Sequence, residues 1–188
     1  MSKQTTSPRE LALRQRRCRT GTPRSVSRSF AQRVACARSP AAHAVLHDLH
    51  RTCIHEYAHF LVAQRFGICA WISIWRNPGG GEVERFYVGR TSFGTKIPKC
   101  GRPLIGLAGN IAELLVENRE LDPDLAFEVL GWGDLSATDA ELAGDFTIAD
   151  VNKCISLLRR LWTALEAAAS YDFETICSCE LVPSGLLE

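Results

Sequence analysis

Residues 52–67 read TCIHEYAHFLVAQRFG, a largely apolar run that carries His55, Glu56 and His59 in the pattern HExxH. On an α-helix, residues four apart lie on one face, one turn above each other. His55 and His59 can therefore offer imidazole nitrogens to a single point. A zinc ion there would lie about 2.0–2.1 Å from each nitrogen. Glu56, one step round the helix, would reach a metal-bound water without binding the metal, and one carboxylate can act there as base and then as acid. The neighbours Cys53, Ile54, Tyr57, Ala58, Phe60, Leu61 and Val62 are uncharged, which marks a largely buried helix. Three ionisable groups on a buried face are costly unless something compensates them, and a metal ion does so.

Outward from this stretch, AAHAVLHDLHRTCIHEYAHFLVAQRF (41–66) has helical periodicity and stops at Gly67, a natural residue just past a helix end. His43, His47 and His50 share that spacing but have no adjoining glutamate, and read as exposed or packed residues. ICAWISIW (68–75) is β-branched and aromatic and reads as a strand. NPGGG (77–81) reads as a turn and EVERFYV (82–88) as the return strand, with TSFGTKIPKCGRP (91–103) as a loop. LIGLAGNIAELLVEN (104–118) is a second helix whose Gly106, Ala108 and Gly109 allow close approach of another helix, and it carries Glu113. A short helix follows within 121–135, opened by Asp122-Pro123 and closed by Gly131. Ser136 and Asp139 have the spacing of a helix start. Helix is expected again from about Thr147 to Ala169, with Val151, Cys154, Leu157, Leu158, Leu161 and Leu165 as its apolar stripe.

At 188 residues and 46% apolar, the chain can bury one core. Its net charge of +1 conceals an asymmetry. Residues 1–40 carry ten Lys/Arg and the single acid Glu10, whereas the remainder carries 12 basic and 20 acidic residues. That composition predicts a basic, disordered arm over 1–40 and a domain over 41–188. An arm of this kind suits phosphates of a nucleic acid, an acidic partner, or an organellar leader. No secretory signal peptide is visible, and no stretch reaches the roughly 18 apolar residues of a membrane span. The eight cysteines are accordingly expected as reduced thiols in a cytoplasmic protein. Cys177 and Cys179 form a CxC pair without a partner pair, a weak signal for a metal or redox site. Internal repeats and a phosphate-binding P-loop are absent.

Three segments, HEYAHFLVAQRFG, LIGLAGNIAELLV and SATDAELAG, resemble in that order the zinc peptidase domain of the FtsH family of ATP-dependent proteases. The resemblance covers roughly residues 50–165 and is most specific in the HExxH helix. It implies a mainly α (α+β) fold, a zincin-like helical bundle with a small β-hairpin beside the HExxH helix. It also implies a zinc metalloendopeptidase in which Asp139 joins His55 and His59 as third ligand and a water is the fourth. In other HExxH enzymes a glutamate of a later helix takes that place, so Glu113 is the main alternative. Glu117, Glu141 and Asp134 follow it. Ala58 stands where the family has glycine. No ATPase module or membrane anchor is seen, so a hexameric ring and processive degradation are not expected, and flexible or unfolded peptide substrates are. Tyr57 reads as packing rather than as an oxyanion donor. The competing function is a binding or regulatory module that keeps zinc without turnover, associated with nucleic acid through residues 1–40.

Overall fold

The computed structural model describes Arg33, Ala37 and residues 40–79 and 85–177. These form a mainly helical fold with one two-stranded antiparallel sheet, in agreement with the fold class expected from the sequence. Helix α1 (Pro40–Arg65) runs unbroken through its 26 residues. It ends where Gly67 turns to φ 69°, with Ile68 N–H bonding to Ala63 O and Gly67 N–H to Gln64 O. That is a Schellman stop, and glycine supplies the left-handed backbone it requires.

Strands β1 (Ala70–Arg76) and β2 (Tyr87–Phe93) pair from Ala70 opposite Phe93 to Arg76 opposite Tyr87. The second strand differs from expectation. It starts five residues later than the sequence pattern suggests and takes in Thr91–Phe93, which read as loop. Residues 82–84 of the expected strand, and 80–81 of the expected turn, lie outside the described residues. The cause is the face turned towards α1. Tyr87 is fully buried there, its backbone N–H bonding to Asp48 Oδ2 at 2.8 Å, while Gly89 and Thr91 meet Glu56. Contacts to a polar helix residue, rather than apolar alternation, set the register.

Helix α2 (Arg102–Glu117) begins with Pro103 in its first turn and packs on α1. Helix α3 (Pro123–Val129) is capped by Asp122, whose side chain accepts from the N–H groups of Asp124 and Leu125. A wide turn (130–134) then leads to α4 (Ala137–Ala143), capped by Ser136. Helix α5 (Ile148–Ile176) opens with a capping box formed by Thr147 and Asp150. It runs seven residues past the expected end at Ala169, because Phe173 continues the buried stripe of Val151, Cys154, Leu158 and Leu165. The core lies between α1, α2 and α5, with α4 against α2 and the hairpin against α1. Arg33 and Ala37, from the segment read as an arm, touch this body: Arg33 Nη2 lies 2.6 Å from Glu174 Oε2 of α5, and Ala37 packs against the core. Among the described residues, no helix is long and apolar enough to cross a membrane.

Candidate metal centre

One turn of α1 places His55 Nε2 and His59 Nε2 3.0 Å apart. Asp139, on the first turn of α4, faces both, with Oδ2 3.4 Å from His55 Nε2 and Oδ1 3.3 Å from His59 Nε2. One ligand atom from each residue falls within 4.8 Å of the others, and the group can hold a metal ion. Ligands sharing a tetrahedral ion at 2.0–2.1 Å stand about 3.3 Å from one another, which these separations match.

The outer nitrogens fix the tautomers. His59 Nδ1 lies 2.6 Å from the Ile105 carbonyl, and His55 Nδ1 lies 3.0 Å from Glu113 Oε1. A carbonyl and a carboxylate can only accept, so each Nδ1 carries a proton and the two Nε2 atoms turn to each other and to Asp139. Such second partners orient metal-binding imidazoles. Burial opposes charge on His55, but hydrogen bonds to Asp139 and Glu113 outweigh it and draw the imidazole up to about 9. Burial and the neighbouring His55 push His59 down to about 4. Of the two rings, His55 favours the positive charge and His59 resists it.

Two glycines of α2 shape the centre. A Cβ at Gly109 would fall 2.5 Å from His59 Nε2 and closer still to His55 Nε2. A Cβ at Gly106 would strike the backbone of Ala143, so this glycine lets α4 bring Asp139 in. The small residues of α2 therefore serve two neighbours, α4 as well as the histidine helix. Ser136 Oγ donates to Asp139 Oδ2 (2.8 Å) and accepts from Asp139 N–H (3.1 Å), while Asn110 Nδ2 donates to Oδ2 at 3.3 Å. Burial raises the Asp139 carboxyl, yet His55, His59 and Ser136 together bring it down to about 2.

Glu113 stands on the far side of His55 from the shared point. It is buried, with Arg51 Nη2 at 2.6 Å and Arg85 Nη2 at 3.0 and 3.1 Å from its carboxylate. Despite burial, its bond to His55 and the two guanidinium groups hold its carboxyl near 2. Its geometry is that of an orienting partner for His55 Nδ1. Glu117 is exposed, 4.0 Å from Arg51, and Glu141 is exposed on α4. The side chain of Asp134 lies outside the described residues.

Glu56 is buried (6% exposed), and burial raises its carboxyl. Its Oε2 accepts from Thr91 Oγ1 at 2.6 Å. Tyr57 donates to Asp172 Oδ2 (3.0 Å) on α5, in line with packing. His43 bonds to the Ala37 carbonyl, His50 packs edge-on against Phe173, and neither they nor His47 join the group. Cys177 is buried, and Cys179 lies outside the described residues. A cleft of about 340 Å³ adjoins the centre, lined by Arg51, Arg85, Asn110, Glu113, Leu114 and Leu130 among others. Sequence reasoning did not single out Thr91, Gly89, Asn110, Arg51 or Arg85. Of these only Arg51, one helical turn before His55, had a periodic signal.

No known family model matches this chain. No curated protein matches it either. The chemistry of the centre rests on its own residues.

Proposed function

We propose that this chain is a zinc-dependent metallopeptidase, similar in its site to the peptidase domain of the FtsH family. Two imidazoles and one carboxylate are a donor set suited to zinc, and three protein ligands leave a position open, as catalytic zinc requires. When bound, zinc supplies a Lewis acid for the scissile carbonyl and lowers the pKa of a water towards about 7. The chain's own residues do the rest. His55, His59 and Asp139 hold the ion; Glu113 and the Ile105 carbonyl keep both imidazoles in the ligating tautomer. Glu56 takes a proton from the attacking water and returns it to the amine as the C–N bond breaks.

The observation that carries this reading is the buried carboxylate of Glu56 next to the ligand group. Holding a metal for structure alone gives no use for a carboxylate there, and burying one is costly. The test is removal and return of the metal. Stripping the protein with a chelator is expected to abolish cleavage of casein and of a quenched peptide, and one equivalent of zinc to restore it. Full zinc loading with no cleavage of either substrate would favour a zinc-containing binding module instead.

A further inference from the structure

The two oxygens of the buried Glu56 carboxylate meet different surroundings. Thr91 Oγ1 lies 2.6 Å from Glu56 Oε2 and 3.0 Å from the Glu56 main-chain carbonyl. Two residues earlier on the same inward face of β2, Gly89 leaves the space that Glu56 fills: a Cβ there would fall 2.5 Å from Oε1 and nearer still to Cγ. The hairpin thus grips one oxygen and makes room for the other. This explains why β2 carries glycine and threonine on its buried face, where an ordinary covering strand would carry large apolar residues.

We propose that Thr91 is a positioning residue for Glu56, occupying Oε2 so that Oε1 takes the proton from the attacking water and returns it to the departing amine. The proposal rests on the peptidase reading. With the proton on Oε1, Oε2 is still an acceptor for the hydroxyl, so the 2.6 Å bond is available before and after proton uptake. Thr91 thereby keeps the side chain in place in either protonation state, and the β-hairpin becomes part of the catalytic apparatus.

Zinc-loaded Thr91→Val and Thr91→Ser variants of the full chain test this. Valine keeps the shape and strand preference of threonine but cannot hydrogen-bond. It is expected to lower kcat by about tenfold or more, the scale of a lost bond to a charged group. KM should stay within about twofold and zinc content should not change; serine restores kcat. A readout independent of activity is the urea midpoint: Thr91→Val should lower it more in the wild type than in a Glu56→Ala background, where only the bond to the main-chain carbonyl is left to lose. Wild-type kcat in Thr91→Val, or a serine variant as impaired as valine, would overturn the proposal while the peptidase reading stands. A wild type that holds zinc and cleaves nothing overturns both.

Discussion

Gly109→Ala is expected to leave the chain folded and to weaken zinc binding by at least about 100-fold, the upper end of what loss of an outer partner of a metal site costs. Alanine in a helix interior is favoured over glycine by about 1 kcal/mol, so propensity alone would stabilise α2. The new methyl, however, occupies the space next to His55 Nε2 and His59 Nε2. These atoms are the tips of side chains, so the fold can yield by turning the rings, and the ligand geometry is what it gives up. Gly106→Ala supplies the contrast. Its methyl meets the backbone N and Cα of Ala143, which cannot turn aside, so α4 must shift and stability falls. Competition with a chromophoric chelator reads the first effect and thermal melting the second. Unchanged zinc affinity in Gly109→Ala would show that the ion lies elsewhere.

Glu56→Gln is expected to retain one zinc and to lose cleavage by about 10²–10⁴-fold, the usual contribution of a general base. Glutamine preserves the volume that Gly89 leaves open and keeps an oxygen for Thr91, so packing is little disturbed. Only the ability to take a proton disappears. Steady-state cleavage of a quenched peptide, with zinc measured on the same sample, separates the two effects. Activity within tenfold of wild type would remove Glu56 from the proton-transfer role.

The parts of this fold that sequence revealed are those written in short range. His55 and His59 are four apart, Gly67 stops α1, and Ser136 opens α4 at the spacing that Asp139 completes. Asp139 as a partner of the histidines is a different matter. It stands 80 residues beyond His59, and periodicity alone cannot bring two helices together over that distance. Its placement came from family resemblance. Glu113 shows the same difficulty in reverse. Its charge suits a ligand, but its position on α2 takes it to Nδ1 of His55, and only the packing of α1 on α2 decides which nitrogen it meets. Strand β2 differs from expectation because EVERFYV has the better apolar look, whereas Gly89 weakens the strand signal of the segment that pairs and the Gly and Pro content after Thr91 reads as loop. The end of α5 runs past expectation because Ser170, Tyr171, Asp172 and Glu174 leave Phe173 as the buried large apolar residue of that turn.

The most direct test of the account is zinc-edge X-ray absorption on the purified full chain, with metal content measured for wild type, His59→Ala and Asp139→Ala. One zinc per wild-type chain is expected, in a shell of two imidazole nitrogens and oxygen donors at about 2.0–2.1 Å, with loss of the metal in both variants. Sulfur in the first shell, or zinc retained at full affinity without His59, would contradict it.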